Sequence, residues 1–98
     1  MEIQVNHGEA LVFALKGRLD TVTSQDLLKA FAGEEVKENL VEMDMKELEY
    51  ISSAGLRALL AMKKELAAKG KQFEVKNLNA ICTEVFKVTG FINILTVK

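Results

Sequence analysis

The sequence predicts an α/β fold, in which a mixed sheet of four to five strands carries crossover helices. Apolar and polar residues alternate with a period of two at Leu40–Met45 and at Gln72–Lys76, which is typical of strands. Other segments repeat apolar residues at three- and four-residue steps, as amphipathic helices do. The predicted order of elements is β-β-α-β-α-β-α-β, and parallel neighbouring strands need helical crossovers of this length.

Length and composition indicate one globular domain spanning residues 1–98. Hydrophobic residues make up 49% of the chain and charged residues 28%, so disorder is not expected. The formal net charge of −1, without a basic cluster, argues against direct binding of nucleic acid. The chain shows no signal-peptide pattern and no apolar run of membrane-spanning length, and Cys82 has no second cysteine to pair with. We therefore expect a cytoplasmic protein that does not associate with membranes.

The first elements should form a hairpin. Ile3 and Val5 alternate with polar residues in a short strand, and Asn6–Glu9 has the composition of a tight turn. The wholly apolar run Ala10–Leu15 predicts a strand covered on both faces or nearly so. Gly17 interrupts this pattern and is expected to end the strand.

A first helix is predicted from about Ser24 to Ala32. Asp20, Thr21 or Thr23 can cap its N-terminus. The apolar residues expected to be buried on this helix are Leu27, Leu28 and Phe31. The charged segment 33–39 that follows is expected to be a solvated connection.

The longest helical pattern follows the third strand. The strand Leu40–Met45 should bury Val41, Met43 and Met45, and a loop is predicted at Lys46–Ile51. Apolar residues then predict a helix from about Ala54 to Lys69. Gly70 can adopt the left-handed conformation just beyond its end.

The last third of the chain repeats the alternation of strand and helix. Gln72–Lys76 is the predicted fourth strand, and Asn77–Asn79 should begin a helix that stops at Gly90. The apolar positions of this helix are Ile81, Cys82, Val85, Phe86 and Val88. Phe91–Val97 alternates weakly and is predicted to close the sheet.

The segment Tyr50–Leu56 joins the third strand to the longest helix and contains two adjacent hydroxyls. Ser52 or Ser53 is a predicted N-cap, because a serine oxygen can accept from an unpaired N–H of the first turn. A helix N-terminus also tolerates an anion, so a phosphate on a serine there would cost the fold little. Ordinary capping remains the alternative explanation for both serines.

Residue patterns for other chemistry are missing. The serines lack a Gly-x-Ser-x-Gly elbow, and His7, the only histidine, lies in a predicted turn. One histidine and Cys82 give no ligand pair with zinc spacing, and Cys82 is expected to pack as a small apolar residue. The glycines are isolated, so no phosphate-binding loop is predicted. We expect no catalytic residue, no metal and no cofactor.

The segment Tyr50–Leu56 resembles the phosphorylation motif of bacterial anti-sigma factor antagonists, also called anti-anti-sigma factors, in the STAS domain family. Further segments resemble the family in the same order: Leu15–Asp20 followed by Thr23, then Lys76–Leu78, Val85–Phe86 and Thr89–Phe91. The resemblance covers nearly the whole chain. In the family the modified serine falls where Ser53 stands, two residues before Gly55. Well-known members carry aspartate where this chain has Ser52, which leaves Ser52 as a secondary phosphoacceptor.

The resemblance implies a protein-binding switch rather than an enzyme. The unmodified domain would bind an ATP-dependent anti-sigma factor that is also a serine kinase, and would so release a sigma factor. The kinase would phosphorylate Ser53 and weaken the complex, and a PPM-type serine phosphatase would restore it. The alternatives are a sensory or transport-associated STAS module that binds a nucleotide or lipid-like ligand, and a structural subunit that is never phosphorylated.

The resemblance also suggests which residues face the partner. These partner-binding residues are Asp20, Thr23, Ser52, Ser53, Gly55, Leu56 and Arg57. From the residues themselves, Asp20 could equally be a helix cap. Arg57 could belong to a solvated helix face or pair with a phosphate. Leu56 and Met62 could lie in the core or on the docking surface.

Overall fold

A computed structural model of the protein describes residues 1–98 and has the predicted order of elements. The strands are β1 (Glu2–Asn6), β2 (Leu11–Leu19), β3 (Leu40–Ile51), β4 (Gln72–Lys76) and β5 (Thr96–Val97). The helices are α1 (Thr23–Ala32), α2 (Ser53–Ala68) and α3 (Ala80–Thr89). The strand order in the sheet is β1-β2-β3-β4-β5, with β1 antiparallel to β2 and the other pairs parallel. The predicted α/β class with a mixed sheet is confirmed.

The hydrophobic core lies on one face of the sheet. Phe13 pairs in register with Met43, and Met43 with Val75, and all three side chains are buried. Val12 and Ala14, which alternate with the buried residues of β2, are only half-buried. β2 was predicted to be covered on both faces or nearly so, and the structure covers it fully on one face and partly on the other. The opposite face of the sheet is polar and carries ion pairs such as Lys76 with Glu42 at 2.8 Å.

The short helices bury less of their apolar surface than the sequence predicted. On α1, Leu27 and Phe31 are buried, and the Phe31 ring meets Phe13 edge-on at 6.1 Å, but Leu28 is exposed. On α3, Cys82 and Phe86 are buried. Two other apolar positions of this helix, Ile81 and Val88, are 60% and 73% exposed. A helix that packs along one side cannot bury apolar residues around its circumference.

Strands β2 and β3 both extend beyond their predicted ends. The segment Lys46–Ile51 was predicted to be a loop, but it continues β3 and buries Leu48 and Ile51. Gly17 does not end β2. It adopts a φ of +106°, which glycine reaches without steric cost, and lies at an irregularity in the β2–β3 ladder.

The β2–β3 ladder contains two register shifts, one between Ala14 and Lys16 and one between Gly17 and Arg18. Leu11 pairs with Val41, whereas Leu19 pairs with Ile51, two residues further along β3 than a regular ladder would give. Leu19 and Ile51 are both buried, so the two shifts together keep the ends of both strands facing the core.

The ends of the later helices agree with the sequence signals. Gly70 (φ +72°) follows α2, and Gly90 (φ +79°) ends α3, as predicted. Asn79 caps α3, since its side-chain oxygen accepts from the N–H of Cys82 at 2.7 Å. The same amide donates to the carbonyl of Leu48 at 2.7 Å, which joins α3 to β3.

The predicted closing strand is shorter than expected. Residues Phe91–Asn93 form a 3-10 turn, and only Thr96 and Val97 pair with β4. The sheet therefore has five strands, the last of them two residues long.

Candidate functional site

The site lies where β3 ends and α2 begins, beside the end of β2. The backbone N–H of Ser52 donates to the carbonyl of Leu19 at 2.9 Å, which fixes the two strand ends together. Ser52 has extended backbone geometry and is the N-cap of α2. Its Oγ accepts from the N–H of Gly55 at 3.2 Å, and its carbonyl accepts from Leu56 at 3.0 Å. Capping by one of the two serines is confirmed, and the cap is Ser52.

Ser53 is exposed and is the first residue of α2. Its hydroxyl makes no hydrogen bond within the protein, in contrast to the hydroxyl of Ser52. Its position in the first turn places it at the positive end of the helix dipole, beside N–H groups that have no intrahelical partner. Of the two predicted phosphoacceptors, Ser53 therefore has the accessible hydroxyl.

Gly55 and Leu56 lie beneath the site rather than on its surface. A Cβ atom at Gly55 would stand 2.9 Å from three atoms, namely the carbonyl oxygen and Cγ of Leu19 and Cγ1 of Ile51. Only glycine lets the first turn of α2 approach β2 this closely. The Leu56 side chain is 1% exposed and belongs to the core, as does Met62. Because Gly55 and Leu56 are buried, they cannot contact a partner directly as predicted. They can contribute to the site only by fixing the first turn of α2, which carries Ser53.

Asp20 and Thr23 bond to each other at the start of α1. One carboxylate oxygen of Asp20 accepts from the N–H groups of Thr23 at 3.0 Å and Val22 at 3.1 Å. The Thr23 hydroxyl accepts from the N–H of Asp20 at 2.8 Å and lies 2.8 Å from the Arg18 carbonyl, to which it can donate. The bond from the Thr23 N–H is the main cause that lowers the pKa of Asp20. The N-cap position of α1 is Val22, which has no side-chain cap bond. Asp20 therefore acts as a capping group from two residues further upstream, through its bonds to the N–H groups of Val22 and Thr23.

Asp20 also lies close to Ser52 and Ser53. The residue before it, Leu19, pairs in register with Ile51, which is the residue before Ser52. Neighbouring parallel strands are about 5 Å apart, so the Asp20 backbone lies beside that of Ser52. The structure therefore brings together two segments of the sequence-predicted site.

Arg57 is exposed on α2, one turn after Ser53, and forms no ion pair. Residues four apart on a helix are neighbours on its surface. An unpaired guanidinium at this position can bond to a phosphate or a carboxylate that approaches Ser53.

Three residues around the site were missed by the sequence analysis. Arg18 stacks over the ring of Tyr50, with its guanidinium carbon 4.4 Å from the ring centroid. Val22 is 72% exposed in the turn before α1. Arg18 meets Tyr50 because the two residues pair in the β2–β3 ladder, and this register could not be predicted from the sequence. For Val22, no sequence signal indicated whether the side chain would be exposed or buried.

The residues considered for other chemistry lie away from the site or are buried. His7 bonds to Glu38 at 2.8 Å and Glu34 at 3.2 Å at the opposite end of the sheet. Cys82 is buried in the core, and burial raises the pKa of its thiol. No group of three or more His, Cys, Asp or Glu side chains is arranged to hold a metal ion. None of the three helices has the length and apolar character needed to cross a membrane.

The fold is that of a STAS domain. The STAS domain model matches residues 1–98, and the chain belongs to this family. A curated relative, BtrV of Bordetella bronchiseptica, is described as a candidate anti-sigma factor antagonist. It is 33% identical over 88 residues, which cover 89% of this chain and 76% of BtrV. The resemblance predicted from the sequence is confirmed.

Solved structures show the same fold. An anti-sigma factor antagonist from Mycobacterium paratuberculosis superposes with a TM-score of 0.85 at 23% identity, covering 98% of this chain and 83% of the other. The anti-sigma factor antagonist SpoIIAA in its unphosphorylated form has a TM-score of 0.83 at 18% identity, covering 99% and 88%. A sulfate transporter family protein from Wolinella succinogenes has a TM-score of 0.80 at 15% identity, covering 96% and 80%.

Proposed function

We propose that this STAS domain is a cytoplasmic anti-sigma factor antagonist, and that phosphorylation of Ser53 controls its binding. The observation that carries the proposal is the contrast between two neighbouring serines. Ser52 uses its hydroxyl to cap α2, whereas Ser53 presents a free hydroxyl to the solvent. The similarity to BtrV, and the fold shared with anti-sigma factor antagonists, support the choice of partner class.

Phosphorylation of Ser53 would change the surface without unfolding the domain. The phosphate adds about −1.5 to −2 charges at neutral pH. Within the free domain, the first turn of α2 and the unpaired Arg57 favour that charge. In a docked complex the same charge loses its water, and a change of ~1.4 kcal/mol already alters affinity tenfold.

Asp20 contributes a fixed negative charge to the docking surface. Its hydrogen bonds to the N–H groups of Thr23 and Val22 keep the carboxylate ionised at neutral pH. A partner that docks on the unmodified surface has to accommodate one negative charge here. Phosphorylation of Ser53 would add a second negative group beside this carboxylate, and the cost of removing water from both would weaken the complex.

The switch requires two enzymes acting on the same oxygen. A serine kinase, which we propose is the anti-sigma factor itself, transfers the terminal phosphoryl group of Mg-ATP to Ser53 Oγ. The hydroxyl proton passes to a base of the kinase and ADP leaves. A PPM-type phosphatase hydrolyses the phosphoserine with a metal-activated water and restores the hydroxyl.

A kinase assay with the cognate anti-sigma factor tests the site. Ser53→Ala should abolish incorporation of phosphate while the complex still forms, because the loss of an exposed hydroxyl leaves the fold intact. Ser52→Ala is the matched control and should still be phosphorylated. Full phosphorylation of Ser53→Ala would show that the acceptor is another residue.

Binding measurements test the consequence of the modification. Ser53→Asp and phosphorylated wild-type protein should each bind the anti-sigma factor at least tenfold more weakly than unmodified protein. Equal affinity of all forms would overturn the switch. Strong thermal stabilisation by a nucleotide, with no anti-sigma factor present, would favour a ligand-binding module instead.

A further inference from the structure

The outer edge of β1 has no neighbouring strand. β1 (Glu2–Asn6) pairs only with β2 and forms one edge of the five-stranded sheet. The other edge is β5, which contains two residues and is followed by Lys98. Short length and a neighbouring lysine are common ways of blocking an edge strand, so the two edges differ in their capacity to pair.

β1 lacks most of the features by which monomeric proteins protect a sheet edge, and Glu2 is its one charged residue. It contains no lysine, and the chain contains no proline. Its ladder with β2 runs through five consecutive pairs without a bulge. Ile3 and Val5 are half-buried and lie beside the core, so the apolar face of the sheet continues to this edge. An unprotected, regular edge of this kind is a template for another strand.

We propose that two copies of the protein pair antiparallel through β1, about a two-fold axis at Gln4, to form one continuous ten-stranded sheet. In this register Ile3 of each copy lies opposite Val5 of the other, on the apolar face. On the polar face Glu2 lies opposite Asn6 of the other copy, and Gln4 lies opposite Gln4. Residues directly opposite each other are about 5 Å apart, close enough for these side chains to interact.

A second copy fits this edge because the sequence of β1 is self-complementary when reversed. Apolar residues meet apolar residues, and the uncharged amides of Gln4 can hydrogen-bond to each other. The one charged side chain, Glu2, meets an asparagine rather than a second carboxylate. A contact limited to strands of five residues is small, so we expect a weak dimer that forms only at high concentration.

The proposed dimer leaves the Ser53 surface free in both copies. Ser53 follows β3, which is separated from β1 by β2 in the sheet. If the proposed function is correct, one dimer therefore carries two docking surfaces and can bind a dimeric partner with increased avidity. Pairing through β1 does not depend on phosphorylation, so the two proposals can fail separately.

Sedimentation analysis of three proteins tests the pairing. The wild type should shift from monomer to dimer with increasing concentration. Gln4→Lys places two ammonium groups opposite each other at the axis and should weaken the dimer at least tenfold. Gln72→Lys adds the same charge at an exposed position of β4 and should dimerise as the wild type does. Matching melting temperatures exclude misfolding as the cause.

Three results of the sedimentation experiment would overturn the proposal. One is a wild-type protein that remains monomeric up to about 1 mM, a concentration that would reveal even a very weak complex. Another is equal dimerisation of Gln4→Lys and Gln72→Lys, which would place the interface elsewhere. Growth beyond the dimer would contradict a closed two-fold arrangement.

Chemical cross-linking tests the register. With a short bismaleimide, Gln4→Cys should give a covalent dimer, because the two thiols face each other at the axis. Thr96→Cys, on the other edge of the sheet, is the matched control and should remain monomeric. The native Cys82 is fully buried and should not react in either protein. Equal cross-linking of both variants would contradict pairing through β1.

Discussion

The two ends of the parallel strands use polar groups in opposite ways. At the end where β3 leads into α2, the Ser53 hydroxyl and the Arg57 guanidinium have no partner within the protein. At the other end, His7 in the β1–β2 turn bonds to Glu38 and Glu34 in the connection before β3. The first set of groups is available to another molecule, whereas the second set joins two loops of the same chain.

The polar groups at one end of the strands are therefore available for recognition, whereas those at the other end contribute to the stability of the fold. Groups that bond to one another within the chain contribute to the folded state, although the contribution is small where they are exposed to solvent, as His7 is. Groups without a partner contribute little to stability, but they can form bonds in a complex. Substitutions at the two ends should therefore have separable effects on melting temperature and on partner binding.

The largest expected effect is at Gly55, where the first turn of α2 meets Leu19. Gly55→Ala should destabilise the protein by about 1–3 kcal/mol, since the new Cβ overlaps backbone and side-chain atoms. Gly8→Ala, at the opposite end, is the control, because the nearest atom to its Cβ lies 3.8 Å away. Urea denaturation measures both. Equal stability of the two variants would mean that α2 can move away from β2 freely.

The two neighbouring serines should differ clearly in how much their hydroxyls contribute to the stability of the fold. Ser52→Ala removes the cap of α2 and should cost about 1 kcal/mol, whereas Ser53→Ala should cost almost nothing. Thermal denaturation of the two variants is the measurement. If Ser53→Ala were the less stable variant, the Ser53 hydroxyl would have a structural role. The proposed contrast, in which Ser52 caps the helix and Ser53 is free for modification, would then be wrong.

A smaller loss of stability is expected from substitution of Asp20, whose carboxylate both accepts hydrogen bonds at the start of α1 and carries a negative charge. Asp20→Ala should lower the melting temperature by a few degrees, whereas Asp20→Asn keeps the acceptor oxygen and should stay close to the wild type. Loss of anti-sigma factor binding in Asp20→Asn, with the fold intact, would assign the charge to recognition. Unchanged binding would restrict Asp20 to capping.

The smallest effect should come from His7, which is exposed to solvent. The hydrogen bond to Glu38, followed by the bond to Glu34, raises the pKa of His7 in the folded state. Its stabilising contribution is therefore complete below the ordinary histidine pKa of about 6.5 and is lost as the pH rises through the folded pKa. His7→Gln should flatten this part of the pH–stability curve. An unchanged curve would show that the His7–glutamate contacts do not contribute.

The sequence predicted the elements well where the pattern was regular. The hairpin of β1 and β2, the helix α2 and the caps beside Gly70 and Gly90 follow from alternation, helical periodicity and glycine placement. The exposed serine could be predicted from its resemblance to a family motif. These signals are local, and local signals can be recognised without knowledge of neighbouring strands.

The errors occurred where distant neighbours decide the structure. Lys46–Ile51 has no regular alternation, and it is a strand because β2 lies beside it and the ladder is irregular. Leu28 was predicted to be buried, but α1 turns only Leu27 and Phe31 fully into the core, and Leu28 is exposed. Which side of a short helix faces the sheet depends on packing, which composition does not encode.

The paired register shifts between β2 and β3 also limit how this chain can change in length. Each shift places one extra residue of β3 against β2, so the buried residues Met45, Leu48 and Ile51 follow one another at steps of three rather than two. A change in the length of β3 before Ser52 would therefore alter how far the serine pair lies from Asp20 at the end of β2.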